Sequence, residues 1–438
     1  MGICNEVNSL LIKPDDMEIK DLSLTEITSL FDYTQNENAK SCLNKMIFTP
    51  LHSLEAIVER QDILKGFIVN IGLFQSYSYS RIDFRETDYF IEKFSDTEYL
   101  PGNIKLKLKL YKSLYHEYRS KFVQVVLMLN RQHSYIKNLP TTAFPDNYKK
   151  ELLSMDDYLS SYRLNYYENL IRENKLRTKH IIEFFGLISE SKRKKLEIAF
   201  KDAYIRFETY ISIAKGIVTN KFSFPEIGGA TLSVRDFYHP LLKSPVKNSL
   251  DTKSNVILLT GPNMSGKSTL LKAIGICVYL ANIGLAIPAS TGKVPFYTTI
   301  DVFINLNDDL QSGYSHFMTE ILNLKKVIEK AGDGHTGFVV FDELFRGTNI
   351  DDALEISRST LKGMLNFPNS LFFVSSHLHQ LTHMEEIKSG KIACMYLDCN
   401  LNNETPEFTY QLKEGSSDIK IGRILFEKEN MNELLKLL

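Results

Sequence analysis

Eight residues constrain this chain more than any others: Gly261, Pro262, Asn263, Met264, Ser265, Gly266, Lys267 and Ser268. Together they fit the template G-x-x-x-x-G-K-[ST] in full. An apolar run, Val256-Ile257-Leu258-Leu259, stands before them, and helical spacing through Leu270, Ala273, Ile274 and Val278 follows. The local order is strand, glycine-rich loop, helix, which is the context this template requires. Glycines let backbone amides turn towards phosphate oxygens, and the helix N-terminus adds about half a positive charge at the same place. Such a loop sets Lys267 at the β- and γ-phosphates of a nucleotide and Ser268 at a Mg²⁺ ion that keeps most of its waters.

Two further apolar runs end in chemistry-bearing residues. Residues 337–341 lead directly into Asp342 and Glu343. Parallel strands gather ligand sites at their carboxyl ends. Asp342 there is placed to hold Mg²⁺ through water, and Glu343 to act as general base for an attacking water. Residues 371–376 end at His377, a group able to sense the γ-phosphate or orient that water, although such a histidine is by itself more often a core or surface residue. Asn263 and the pair Asp308-Asp309 are polar groups near the expected site whose roles periodicity does not assign.

The 438 residues exceed what one core organises and imply at least two domains. A net charge of −1 announces no nucleic-acid partner, so binding of that kind needs a local basic face. Five cysteines, an odd number with no CxxC pair, fit a reducing compartment without structural zinc. Residues 1–16 lack the basic start and long apolar run of a secretory signal, and Glu6 stands where myristoylation of Gly2 wants Ser or Thr. The longest apolar segment, residues 274–289, contains Asn282 and Pro288 and is too short and interrupted to span a bilayer. The expectation is a cytoplasmic chain with no membrane segment.

Residues 1 to about 20 read as a short leader without a core. Helical spacing begins at Leu24, breaks over residues 33–38, resumes through Ala39, Cys42, Leu43 and Met46, and stops near Pro50. Ser53 is placed to cap the next helix, which carries Leu54, Ile57, Val58 and Leu64. Residues 104–110 alternate with period two, a strand signal, yet run unbroken into a helical stretch over 111–136, so their state stays open. Residues 138–150, with Pro140 and Pro145, read as a loop. Leu196, Phe200, Ala203, Phe207, Tyr210, Ala214 and Ile217 share one face of a long helical strut. The basic run Lys192 to Lys195 at its start is either a phosphate contact or a solvated helix end. After Phe222 short apolar runs alternate with turns, and strands are expected at 230–234, 255–260, 337–341, 371–375 and 408–412. This is the pattern of an α/β nucleotide-binding domain over residues 226–438, behind an all-helical domain over 1–225.

Several of these runs resemble the ATPase signature of the MutS family of DNA mismatch-repair and recombination proteins. They are Thr260 to Thr269, Ile287-Pro-Ala-Ser290, Asp308 to Gly313 leading into Phe317-Met-Thr-Glu320, Asp342 to Thr348, and Ser376 to Leu381, in the family's order and spacing. Further upstream, Leu30-Phe-Asp32, Pro50 to Ile57 and Glu59-Arg-Gln61 resemble the start of that family's helical core. The resemblance implies an α/β P-loop ATPase fold of the ABC type beside an all-α core and lever domain. It implies ATP and Mg²⁺ as ligands, a homodimer that sandwiches each nucleotide between subunits, and DNA as partner. Asn263 is carried over as a γ-phosphate contact, His377 as the switch histidine, and Ser315 as the serine that reaches the partner's nucleotide in trans, with His316 where the family usually has threonine.

The departures bear on function. Members that find mismatches carry an amino-terminal domain with a Phe-x-Glu wedge ahead of the core, whereas this chain begins close to the core and its Phe84-Arg-Glu86 lies inside it. The tail after Gly422 is short where the family often adds a dimerising helix. The aromatic expected to stack on adenine is not evident, and Val246 stands as an apolar substitute. Two readings follow: an ATPase that binds distorted or branched duplex, with Lys105, Lys107, Lys109 and the 192–195 run as its basic face, or an ATP-gated switch whose helical domain contacts another protein.

Overall fold

The computed structural model describes residues 17–93, 104–262, 264–304, 316–345, 347–402, 405–416, 426, 428 and 431–435. Its helical region runs through α1 (Leu24–Ser29), α2 (Glu37–Phe48), α3 (Leu54–Val69), α4 (Arg81–Lys93), α5 (Ile104–Leu110), α6 (Lys112–Lys137), α7 (Asp146–Ser160), α8 (Leu164–Arg172), α9 (Thr178–Arg193) and α10 (Leu196–Asn220). Two compact units form: residues 31–45 with 62–219, and the described residues up to 30 with 46–61 and those from 220 onward.

The first unit is built on aromatic packing. The ring of Phe67, fully buried, lies 5.1 to 6.0 Å from those of Phe74, Phe144, Tyr148, Phe207 and Tyr210. Edge-on and offset ring pairs of this kind add about 0.5–1.5 kcal/mol each beyond burial. Gly66, beside Phe67, is a close approach: a Cβ there would come within 2.7 Å of Ala143 O and the Phe144 ring. From Ala203 onward the expected face of α10 turns inward, with Ala203, Phe207, Tyr210, Ala214 and Ile217 buried, whereas Leu196 at its start is 48% exposed. Phe84 is used here too, its ring 5.1 Å from Tyr79 and 6.4 Å from Tyr204, and Glu86 pairs with Lys121 at 3.0 Å.

One carboxylate lies inside this unit. Glu208 on α10 is 1% exposed. It accepts from the amide of Gln35 at 2.6 Å, Asn36 Nδ2 at 3.0 Å, Tyr77 OH at 3.1 Å and Tyr79 OH. Burial raises its pKa despite these donors. A buried acid is tolerated only when its lone pairs are filled in this way.

One state left open is decided, and two expectations are corrected. Residues 104–110 are helix α5, packed against α6 and α9, with Leu108 buried and Leu106 and Leu110 exposed. An all-helical setting offers no ladder to a lone strand, and a helix satisfies its own amides. The expected loop over 138–150 is shorter, because Pro145 is the N-cap of α7 and helix begins at Asp146. Residues 17–22 are no coreless leader. The amide of Glu18 donates to Asp301 Oδ1 at 3.1 Å, its carbonyl accepts from Val302 N at 2.7 Å, and Leu22 is fully buried. Ser53 does cap α3, accepting from the amide of Ala56 at 3.2 Å.

The second unit holds two sheets. Its elements are β1 (Glu226–Ile227), β2 (Ser233–Phe237), β3 (Asn248–Asp251), β4 (Val256–Thr260), α11 (Lys267–Asn282), β5 (Thr291–Val294), β6 (Thr299–Phe303), α12 (His316–Gly332), β7 (Gly337–Phe341), α13 (Ile350–Met364), β8 (Leu371–Ser375), α14 (Glu385–Lys388), β9 (Ala393–Asn402) and β10 (Thr405–Glu414). A small sheet has the order β1-β5-β2-β3, and the main sheet the order β10-β9-β4-β8-β7-β6. In the main sheet β9, β4, β8, β7 and β6 run parallel, and only β10 pairs antiparallel. Strands β4, β6, β7 and β8 are buried along their whole length, as the apolar runs of β4, β7 and β8 require of a sheet covered on both faces.

Residues 46–61 count with this unit for visible reasons. Arg60 Nη1 donates to Met46 O at 3.3 Å and Ile283 O at 2.8 Å, Gln61 Nε2 donates to Pro225 O at 3.2 Å, and Tyr279 OH donates to Ile47 O at 2.8 Å. Gly284, at φ +76°, is the turn that lets this happen: a Cβ there would meet Arg60 Cβ and Ile57 O at 3.0 Å.

Candidate functional site

Parallel pairing brings the carboxyl ends of β4, β8 and β7 to one edge, with β8 between the other two. The loop from β4 into α11 turns there. Gly261 and Gly266 take φ values of +139° and +94°, and Met264, 73% exposed, takes +70°. Gly266 is the N-cap of α11 and has no side chain to cover the first-turn amides. Lys267, only 5% exposed, folds back along the loop and donates to Gly261 O at 2.8 Å and Pro262 O at 3.1 Å. Burial pulls its pKa below the usual lysine range, and the nearby charges of Glu343 and Asp342 act in the opposite direction.

Asp342 follows β7 directly. Its Oδ2 accepts from Ser268 Oγ and its Oδ1 from Ser375 Oγ, while Ser375 Oγ in turn accepts the amide of Glu343 at 2.9 Å. Ser375 is the last residue of β8 and fully buried. One hydroxyl therefore ties both acids to the middle strand. Glu343 and Phe345 have φ values of +53° and +64°, a left-handed backbone that non-glycine residues adopt at a cost and that clusters at functional sites. Gly347 makes room for the start of α12, since a Cβ there would sit 3.2 Å from the amide of Phe317.

The residues present fit an anion and a hard cation. Ser265 Oγ is buried and has no hydrogen-bond partner among the described residues, in the loop that also carries the Lys267 ammonium. Ser268 and Asp342 place a hydroxyl and a carboxylate side by side, the oxygen donors that Mg²⁺ takes when substrate phosphates and water complete its shell. Among the described residues no cluster of three His, Cys, Asp or Glu forms an all-protein metal cage.

Beside Gly266 and Thr269 opens a cavity of about 280 Å³. Its walls include Tyr238, His239, Val246 and Tyr410. Tyr410 sits in a bulge of β10 at φ +57°, where Asn248 Nδ2 donates to its carbonyl at 3.0 Å and Asn248 Oδ1 accepts from Leu412 N at 2.8 Å. A Cβ on Gly266 would approach the Tyr410 ring at 3.1 Å. Lys247 Nζ stands 5.8 Å over the ring of Tyr238.

Residues 257–430 match the family model described as MutS domain V. That stretch is similar to MutS domain V. Curated relatives extend the likeness upstream of it. The DNA mismatch repair protein MutS of Acholeplasma laidlawii is 26% identical over 384 residues, 84% of this chain and 43% of that protein. The protein of the same name from Macrococcus caseolyticus is 33% identical over 37% of this chain and 20% of its own length, and MutS protein homolog 4 of Mus musculus is 28% identical over 50% and 24%. The chain thus spans less than half the length of these relatives.

Of the site residues expected from sequence, the fold brings Gly261, Gly266, Lys267, Ser268, Asp342 and Glu343 to one edge. Thr269 borders the cavity, and His377 is exposed just past β8. Asn263, Asp308, Asp309 and Ser315 lie outside the described residues, and His316 opens α12. Val246 does reach the cavity beside the loop. Sequence reasoning missed Ser375 and Tyr410. A serine closing an otherwise apolar strand was the available signal for the first. Nothing in the sequence marked the second, because it enters through a bulge. Lys192 of the basic run donates to the carbonyls of Ile91, at 2.8 Å, and Glu92, and Lys194 pairs with Glu190 at 2.8 Å.

Among the described residues no helix is long and apolar enough to cross a membrane.

Proposed function

We propose that this chain is a MutS-related ATPase of the ABC P-loop type, with residues 226–438 as its ATPase domain and residues 1–225 as a helical core and lever. The observation that carries the reading is the linked set Ser268, Asp342, Ser375 and Glu343 at the strand edge that also holds buried Lys267. ATP lies with its phosphates along residues 261–269 and its base in the cavity between Val246 and Tyr410. Ser268 and Asp342 hold Mg²⁺, which when bound neutralises charge on the phosphates. Glu343 takes a proton from the attacking water as its oxygen bonds to the γ-phosphorus, and the bond to the β–γ bridging oxygen breaks to leave ADP. Lys267 meets the charge that develops on the γ-phosphoryl oxygens. His377 orients that water or senses the phosphate, and Asn263 contacts it.

The working unit in this reading is a homodimer closed by ATP, with Ser315 acting in trans, and closure is coupled to DNA, structured or branched rather than mismatched. The names of the relatives support a DNA partner. A second reading, an ATP-gated contact with another protein, draws on the helical unit. Leu106, Leu110 and Tyr111 are 52 to 65% exposed there, while Lys192 and Lys194 of the expected basic face are engaged within the chain.

The test is ATP hydrolysis with Mg²⁺, alone and with linear, mismatched and four-way-branched duplex at several salt concentrations. Stimulation by branched duplex that fades with salt supports the first reading. Hydrolysis indifferent to every duplex at low salt overturns the DNA coupling, and absence of both ATP binding and hydrolysis overturns the whole.

A further inference from the structure

The helical unit contains a cavity of about 570 Å³ between α4, α6 and α10, within the size range of small-molecule sites. One wall is a run of nearly parallel rings. Tyr158 and Phe200 stack at 4.5 Å, Phe200 and Tyr204 at 5.7 Å, and Tyr204 and Phe84 at 6.4 Å. The rest mixes the apolar side chains of Ile91, Met128, Leu129 and Ile198 with polar groups, and three of its atoms stand out. Gln132 Oε1, Thr87 Oγ1 and Glu197 Oε2 are buried and have no hydrogen-bond partner among the described residues. Gln132 and Thr87 are each 4% exposed and line the cavity, as does Glu197. Buried oxygens without partners are uncommon and call for a donor.

Charge narrows the donor. Among the described residues the lining carries four carboxylates, those of Asp88, Glu92, Glu197 and Asp202, against the two ammoniums of Lys192 and Lys201. Both ammoniums are spoken for: Lys201 pairs with Asp88 at 2.7 Å, and Lys192 donates to the carbonyls that end α4. The surplus is negative, which repels phosphates and disfavours a nucleotide or an unstacked base on the ring wall. Aromatic lining and acceptor oxygens together suit an aryl cation carrying N–H groups.

We propose that this cavity binds a small organic cation, an arylalkyl ammonium or guanidinium compound. Its ring lies on the wall of Tyr158, Phe200, Tyr204 and Phe84, and its N–H groups fill the acceptors Gln132 Oε1, Thr87 Oγ1 and Glu197 Oε2. The site is separate from the phosphate loop, and the proposal stands whether or not the chain hydrolyses ATP.

The probes are phenethylamine and its uncharged counterpart phenethyl alcohol, titrated into the full chain by calorimetry and ligand-observed NMR near neutral pH. Saturable binding of the amine is expected, at least about tenfold tighter than that of the alcohol, because a hydrogen bond to a charged donor discriminates by that much. Gln132→Leu, which keeps the volume, and Thr87→Val should each weaken the amine about tenfold and leave the alcohol unchanged. Two variants are used so that the comparison survives if one fails to fold, and cooperative thermal unfolding identifies those that do fold. Equal affinity for amine and alcohol, no saturable binding of the amine up to millimolar concentration, or undiminished amine binding in the folded variants overturns the proposal.

Discussion

The hydroxyl of Ser268, at the start of α11, donates to Oδ2 of Asp342, a residue 74 positions further along the chain. The loop and the acid come from strands that do not pair with each other. Strand β8 separates them, and its terminal Ser375 holds the other oxygen of the same carboxylate.

That arrangement makes Ser375 a positioning residue. Ser375→Ala removes the donor to Asp342 Oδ1 and the acceptor for the amide of Glu343 without opening a large cavity. The expected result is a several-fold higher Mg²⁺ concentration at half-maximal ATP hydrolysis, with thermal stability lowered by no more than about 1–2 kcal/mol. A Mg²⁺ titration identical to that of the parent chain would remove Ser375 from this role.

Glu343 is assigned the proton transfer. Glu343→Gln keeps the shape and cannot take a proton, so turnover should fall by about a hundredfold or more while ATP is still bound. Single-turnover hydrolysis beside equilibrium binding of a fluorescent ATP analogue separates the two effects. Turnover within a factor of two or three of the parent would assign the base elsewhere.

Asn248 fixes the bulge that presents Tyr410 to the cavity beside the loop. Tyr410→Ala should raise KM for ATP about tenfold with kcat little changed, the size of one lost stacking partner. Asn248→Leu should move KM in the same direction, because it frees the bulge and touches no phosphate residue. A fall in kcat with KM constant would contradict a role in base binding.

Glu208 governs a pH-dependent part of the stability of the helical unit. Its folded pKa is raised by burial above the ordinary 4.5, so the folded state holds this proton more tightly than the unfolded state. The contribution is therefore fully present below the unfolded value and is lost as pH rises from about 4.5 through the raised folded one. Glu208→Ala should abolish this slope. It should also destabilise the unit by about 3–5 kcal/mol, because Asn36, Tyr77 and Tyr79 lose their acceptor. Denaturant unfolding between pH 4 and 8 measures both effects.

The sequence by itself determined the elements whose signal is local. The glycine-rich loop, the apolar runs of β4, β7 and β8, the inward face of α10 and the cap at Ser53 are each written within one or two turns of chain, where periodicity and backbone preference act. Tertiary structure decided what depends on neighbours distant in sequence. The alternation over residues 104–110 became helix because no strand among the described residues lies beside it to accept its amides. Residues 46–61 joined the α/β unit because Arg60, Gln61 and the carbonyl of Ile47 find partners more than 160 residues away. Ser375 gained its place from the strand order and Tyr410 from a bulge, and the acceptors Gln132 and Thr87 were gathered by helix packing. Hydrogen bonds and cavities are made between elements, so their positions follow only once the fold has set those elements side by side.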